Sequence, residues 1–194
     1  PAFHLEDLRR IASLSEPQIS PDGRRIAVIV STPDWKSDKP NEELDLVDVA
    51  TGARRTLTFH REDLSMPRWS PDGARLAFIA KDTMPADDAD AKDHSGDDSA
   101  GVDDKSGDDS DEKQDQVFVL PMDGGDAMRL THAAHGIESF GWSPDGKRIA
   151  FVTADDAANR KAIKNHDDAF QVTDNNFLVR AALAPSQLWV IASD

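Results

Sequence analysis

The alternation of apolar and polar positions along this chain recurs three times, each time around the tetrapeptide Ser-Pro-Asp-Gly. After each copy, apolar side chains fall on both faces of an alternating stretch, which predicts a β-strand covered on both sides. The three stretches are residues 25–30, 75–80 and 148–153. Each tetrapeptide with its flanking strands therefore predicts a tight hairpin, and the repetition predicts a repeat architecture.

The tetrapeptides supply the chemistry of a turn. Proline sets φ for the first central position of a type I turn, aspartate tolerates the second, and glycine adopts the left-handed conformation that follows. The serine hydroxyl can bond back to the turn backbone. A catalytic site is used once, whereas a turn is needed in every repeat, so we interpret these residues as structural. They are Ser20, Pro21, Asp22, Gly23, Ser70, Pro71, Asp72, Gly73, Ser143, Pro144, Asp145 and Gly146.

Further strand patterns follow each hairpin, at residues 43–49 and 54–58 and again at residues 116–120 and 128–131. Four short antiparallel strands per unit are typical of one blade of a β-propeller. We therefore predict an all-β fold, a β-propeller fragment of about three four-stranded blades with the third incomplete. Because a propeller needs at least about four blades to close, we expect the chain to be part of a larger protein.

The blade boundaries follow from this pattern. We predict blade one at residues 16–58, blade two at 59–131 and an incomplete blade three at 132–194, with insertions at 82–115 and 154–186. Residues 4–14 place Leu5, Leu8 and Ile11 at helical spacing, with acidic residues early and arginines late. The segment 1–15 is accordingly predicted to hold a short N-terminal helix.

Charge changes the picture only locally. The net charge is −15, but residues 86–116 hold twelve Asp, one Glu and three Lys, which sum to −10 and leave −5 for the rest. This tract has few apolar side chains to offset its ordering entropy, so a solvated loop is favoured over a calcium site, for which the EF-hand spacing is absent. The chain has no basic stripe of the kind that binds nucleic acid, so a nucleic-acid partner is not expected.

Composition narrows the class of protein further. The chain has no cysteine, which excludes disulfides and thiolate metal sites. It has no apolar run of membrane-spanning length and no signal-peptide pattern at its N-terminus, so we expect a soluble chain without a membrane partner. The compartment stays open between cytoplasm and periplasm. No motif indicates a cofactor.

The candidate catalytic and metal-binding residues have structural explanations. Ser143 lies in the sequence Gly141-Trp142-Ser143-Pro144-Asp145, which approaches a nucleophile elbow but ends in Asp within a turn. His132 and His135 form a His-x-x-His pair without a third ligand at zinc spacing. We predict no catalytic residue and no metal site. Trp69, Trp142 and Trp189 are interpreted as core residues at equivalent strand positions.

His166, Asp167 and Asp168 lie in the insertion of blade three, whose apolar residues indicate order. Turn and capping chemistry explains these three residues. The alternative hypothesis is a polar contact to a substrate or a neighbouring domain, because binding residues concentrate on loops mounted on rigid scaffolds.

Several of these segments resemble a known family. Glu6-Asp7-Leu8 with Pro17 to Ala27, the Trp-Ser-Pro-Asp-Gly blades, and Asp167 to Val172 with Leu188-Trp189-Val190 are similar to bacterial serine peptidases of the prolyl oligopeptidase family. The resemblance is to the N-terminal propeller of the acylaminoacyl-peptidase and dipeptidyl-peptidase-like branch. It covers nearly the whole chain apart from the acidic tract.

The resemblance implies a propeller that caps a C-terminal α/β-hydrolase domain and restricts entry to short peptides. In that family the catalytic triad lies in the hydrolase domain, so no catalytic residue is carried over and the 194-residue segment is expected to be inactive alone. Some relatives hold the substrate N-terminus with two glutamates, but Glu42-Glu43 lies in a different context and receives no such role.

An alternative hypothesis is a non-enzymatic propeller of the TolB type that acts as a protein-interaction scaffold, because such propellers share the blade motif. An unclosed propeller also presents bare sheet edges. Self-association through these edges is a further hypothesis.

Overall fold

The computed structural model describes His4 and residues 11–34, 39–58, 61–81, 114–156 and 184–193. The regular secondary structure of these residues consists of strands. No helix long and apolar enough to cross a membrane occurs among them. The strands are β1 (Ser13–Ile19), β2 (Arg25–Asp34), β3 (Lys39–Asp48), β4 (Arg54–Thr56), β5 (Ser65–Trp69), β6 (Arg75–Lys81), β7 (Asp115–Pro121), β8 (Met128–Arg129), β9 (Ser139–Trp142), β10 (Arg148–Ala154) and β11 (Ser186–Ala192).

The strands form three antiparallel sheets. Two are four-stranded, in the orders β1-β2-β3-β4 and β5-β6-β7-β8, and the third has the order β11-β10-β9. Each sheet begins with a hairpin closed by a Ser-Pro-Asp-Gly turn. The all-β prediction and the strand order within each repeat are therefore confirmed. We call the three sheets the first, second and third blade.

The predicted N-terminal helix is wrong where the structure describes it. Ser13 and Leu14 belong to β1 and pair with Ser31 and Val30 of β2. Pairing with β2 satisfies the backbone hydrogen-bonding groups of both strands, and this outweighs the helical spacing of a few apolar side chains. Residues 5–10, which carried most of that spacing, lie outside the described residues.

The core consists of two apolar layers, one on each side of the second blade. Leu76 and Phe78 of β6 point into the layer shared with the first blade, where Ala27, Ile29 and Leu44 are also buried. Their neighbours in β6 point the other way, into the layer shared with the third blade. That second layer contains Ala77, Ile79, Val117, Val119, Ile137, Phe140 and Ile149. The alternation along β6 therefore joins all three blades.

Arginine residues after the turns connect each blade to the next. The guanidinium of Arg75 lies 5.0 Å from the centroid of the Trp142 ring. It also donates to the carbonyl oxygens of Gly146, at 2.6 Å, and Ser193, at 2.8 Å. The indole of Trp142 in turn donates to the carbonyl oxygen of Arg68 in the second blade. Third and second blades are thus joined by polar contacts as well as by apolar packing.

The same connection joins the first blade to the second. Arg25 stacks over Trp69 at 5.0 Å and donates to the carbonyl oxygen of Gly73 at 3.3 Å. The indole of Trp69 donates to the carbonyl oxygen of Gln18. We call each of these sets an arginine bridge. Arg148 occupies the corresponding position in the third blade, where its exposed side chain has no recorded bond to another blade among the described residues.

The arginine bridges generate a stability prediction. Arg75→Met keeps most of the apolar stem but removes the charged donor, so we expect a loss of about 2–3 kcal/mol in the free energy of unfolding. Arg148→Met is the matched control and should change it by less than about 0.5 kcal/mol. Urea unfolding followed by tryptophan fluorescence measures both. Equal losses of unfolding free energy in the two variants would contradict a stabilising role for the Arg75 bridge.

Candidate functional site

The Ser-Pro-Asp-Gly turns share hydrogen bonds in all three blades: serine hydroxyl to aspartate, arginine N–H to serine hydroxyl, and glycine N–H to serine carbonyl. In the second blade, the Ser70 hydroxyl donates to Asp72 Oδ1 at 2.6 Å and accepts the Arg75 N–H at 2.9 Å. The Gly73 N–H donates to the carbonyl oxygen of Ser70, and Gly73 has φ of +70°. This φ lies in the left-handed region that favours glycine. The turn therefore uses each of its polar residues internally.

Ser143 has the same partners as its two counterparts. Its hydroxyl donates to Asp145 Oδ1 at 2.5 Å and accepts the Arg148 N–H at 2.9 Å. The pKa of Asp145 is lowered, first by this serine hydroxyl and then by the Lys147 N–H. A carboxylate with a lowered pKa is a poor general base. Its hydroxyl thus makes the same turn contacts as those of Ser20 and Ser70, although Ser143 is half-buried and the other two are buried.

Other residues singled out in the sequence are separated in the structure. Glu42 accepts the Leu64 N–H at 2.9 Å, whereas Glu43 pairs with Arg54 at 3.7 Å. The two carboxylates thus hold different neighbours. His166, Asp167 and Asp168 lie outside the described residues, and their contact role stays a prediction.

An open cleft of about 550 Å³ lies between the second and third blades. It is at the end of the blades opposite the Ser-Pro-Asp-Gly turns, where β10 ends and β11 begins. The connection from β8 to β9 forms one wall, and the third blade forms the other. The lining residues are Leu130, Thr131, His132, Ala133, Ala134, His135, Phe151, Thr153, Ala154, Asp155, Asp156, Gln187, Trp189 and Ile191.

The base of the cleft is apolar and aromatic. Phe151 of β10 pairs with Trp189 of β11, and Trp189 is 53% exposed. The interpretation of Trp189 as a core residue equivalent to Trp69 and Trp142 is therefore wrong. Trp69 and Trp142 end the first strands of their blades, whereas Trp189 lies in the third strand of its blade.

The rim of the cleft is polar and acidic. His135 Nε2 contacts Asp156 Oδ1 at 2.5 Å, and the Gln187 side-chain amide donates to Asp155 Oδ2 at 2.6 Å. His132 lines the same cleft. Among the described residues, no group of three or more His, Cys, Asp or Glu side chains is arranged to hold a metal ion. An aromatic base below a carboxylate rim is suited to an apolar group that carries a positive charge.

Neither the arginine bridges nor the cleft was predicted from the sequence. The signal for the bridges was present, because Arg25, Arg75 and Arg148 occupy the same place after each turn. The sequence of one repeat taken alone contains no pattern that indicates the cleft. Ala134 and Trp189 become informative only when their positions are compared with those of the preceding blade.

The three blades, stacked face to face and joined by the same bridges, define a β-propeller segment. Comparison with known proteins gives the same class. The β-propeller domain of the Trilobed protease from Pyrococcus furiosus, described as having an open velcro topology, has a TM-score of 0.50 at 20% identity. The match covers 74% of this chain and 34% of that one. Acylaminoacyl peptidase from Pyrococcus horikoshii has a TM-score of 0.60 at 20% identity, over 95% of this chain and 24% of that one.

The sequence relatives are peptidases. The uncharacterized peptidase YuxL of Bacillus subtilis is 29% identical over 144 residues, which are 74% of this chain and 18% of that protein. Dipeptidyl-peptidase 5 of Porphyromonas endodontalis is 24% identical over 162 residues, 84% of this chain and 19% of that protein. No protein-family model matches. The predicted resemblance to the propeller portion of peptidases is confirmed, and the chain spans about a fifth of the length of these relatives.

The turns generate a prediction about pH. The pKa of Asp72 is lowered, first by the Ser70 hydroxyl and then by the Ala74 N–H. A carboxyl whose pKa is lowered by folding contributes stability above its unfolded pKa, and this is lost as pH falls through the folded pKa. Ser70→Ala should therefore raise the folded pKa of Asp72 toward its unfolded value. The acid-induced loss of stability that Asp72 contributes should then be smaller and end at a higher pH.

Carboxyl-carbon NMR titration of Asp72, with urea midpoints measured across the acid range, tests this expectation. Ser15→Ala, at an exposed position of β1, is the control and should leave the titration unchanged. An unchanged Asp72 titration in Ser70→Ala would refute the assignment.

Proposed function

We propose that this chain is a non-catalytic propeller segment of a serine peptidase that cleaves short peptides. In this proposal it restricts access to a C-terminal α/β-hydrolase domain, which is its main partner and carries the catalytic triad. The observation that carries the proposal is the stack of blades joined by arginine bridges. It occurs in a chain that matches two peptidases over 74% and 84% of its length.

The packing of the blades supports a rigid barrier to substrates better than a flexible lid. Each blade shares a buried apolar layer with its neighbour, and the two arginine bridges fix the Ser-Pro-Asp-Gly end of each blade against that of the next. Close packing of this kind transmits strain and resists local opening. A rigid wall excludes large substrates by size, whereas a short peptide can pass.

The segment alone is proposed to be inactive. Ser143, the serine nearest to a nucleophile motif, is held in a turn by Asp145 and has no histidine among its recorded partners. We expect no hydrolysis of peptide nitroanilides by the isolated chain. Turnover sensitive to serine-directed phosphonates would overturn this assignment.

The competing function is a non-enzymatic interaction scaffold, which the exposed apolar side chains of Leu188 and Val190 in β11 favour. The coding sequence downstream of Asp194 separates the two. A peptidase requires roughly 250 further residues with a Gly-x-Ser-x-Gly elbow followed by Asp and His in that order. A parent protein without them would be a scaffold.

Size exclusion is tested in the parent protein with Arg75→Met. Loss of the bridge should make the contact between the second and third blades less rigid and admit larger substrates. The kcat/KM for unfolded casein should therefore rise relative to that for a dipeptide nitroanilide. Lys147→Met, an exposed neighbour of the bridge, is the control and should leave this ratio unchanged. The gating proposal fails if wild-type protein cleaves casein and the nitroanilide with similar kcat/KM.

A further inference from the structure

Two grooves between neighbouring blades lie at the end opposite the Ser-Pro-Asp-Gly turns. They differ in whether an arginine side chain covers the aromatic ring in the groove. The first groove, between the first and second blades, is sealed. Phe118 of β7 is fully buried there, stacked on Phe78 with ring centroids 5.8 Å apart. The guanidinium carbon of Arg61 lies 4.3 Å from the centroid of the Phe118 ring and covers it.

The second groove is the open cleft between the second and third blades. Trp189 has the place of Phe118, because Phe118 pairs with Phe78 and Trp189 pairs with the corresponding Phe151. Ala134 has the place of Arg61, at the same offset of 73 residues that relates Trp69 to Trp142. The side chain of Ala134 is too short to cover the ring as the Arg61 guanidinium does in the first groove. The aromatic ring beneath is correspondingly exposed.

The charge of the second groove is complementary to the missing group. Asp155 and Asp156 lie at its rim, and its described lining residues include no lysine or arginine. His135 contacts Asp156, and the Gln187 side-chain amide donates to Asp155. Tryptophan is also the aromatic side chain that binds cations best. The second groove therefore favours a cation more strongly than the sealed groove, whose ring is a phenylalanine.

We propose that the second groove binds an arginine side chain of a peptide, with the guanidinium stacked on Trp189 in the place that Arg61 occupies in the first groove. The peptide as the source of that arginine rests on the proposed function. Arginine is preferred to lysine because the planar, weakly hydrated guanidinium stacks on aromatic faces, whereas the ammonium is compact and strongly hydrated. The groove would select basic peptides before they reach a hydrolase domain.

Binding to the whole chain is measured with acetyl-Ala-Arg-Ala-amide and with its citrulline counterpart, which is neutral and nearly isosteric. The indole N–H signals in a nitrogen-edited NMR spectrum, assigned with Trp189→Phe, report occupancy of the groove. We expect the arginine peptide to shift the Trp189 signal and to bind about tenfold more tightly than the citrulline peptide. Equal affinities would overturn the proposal, because recognition would then not depend on the charge.

The decisive variant is Ala134→Arg, which supplies the groove with its own guanidinium. It should abolish peptide binding and raise the thermal midpoint. Ala50→Arg adds the same charge at an exposed turn of the first blade and should leave binding unchanged. Undiminished binding to Ala134→Arg would place the peptide elsewhere and refute the proposal.

A third variant tests another occupant. Deletion of residues 157–183, joined by a short glycine linker, should leave the preference for arginine over citrulline unchanged. Binding that appears only after this deletion would mean that the chain's own segment fills the groove, and the peptide proposal would be wrong.

These measurements need no hydrolysis, so they separate the two proposals. Arginine selectivity in a parent without a hydrolase domain would refute the peptidase function and leave the groove assignment standing. A peptidase parent with no arginine selectivity in this chain would do the reverse.

Discussion

The structure depends on the contact between an arginine of one blade and the turn of the next. A guanidinium is one of the few groups that can satisfy a glycine carbonyl and stack on an indole at the same time. Arg25 and Arg75 do both, with the ring 5.0 Å away in each case. Apolar layers alone would allow neighbouring sheets to slide, since dispersion and hydrophobic burial are not directional. The arginine bridges therefore fix the relative position of blades that the apolar layers hold together.

This constraint explains why the two ends of the molecule differ. At the turn end, the blades present the same serine, aspartate and glycine, and the bridges use the glycine carbonyl oxygens of the second and third turns. At the opposite end nothing comparable is required, and the connections between strands differ in length and composition. Arg61 seals one groove there, and Ala134 leaves the next one open. Function is accordingly expected at the end that the scaffold does not constrain.

Much of the fold was predictable because its determinants are local. Proline, aspartate and glycine fix the turns by their own conformational preferences, and the apolar alternation after them fixes the strands. The N-terminal helix was wrongly predicted because β2 offers Leu14 a strand partner that its local spacing does not reveal. Trp189 was misplaced for a similar reason. It lines the same cleft as Ala134, which lies 55 positions away, and only the assembled blades bring the two together.

Strand β6 separates the two interfaces as effectively as it joins them. Leu76 and Phe78 serve only the layer with the first blade, and Ala77 and Ile79 serve only the layer with the third. A substitution on one face therefore changes the side-chain contacts of one interface directly and reaches the other only through the backbone of β6. The open groove and the sealed groove consequently have separate sets of side chains, and a lineage could change the side chains that line one groove without replacing those that line the other.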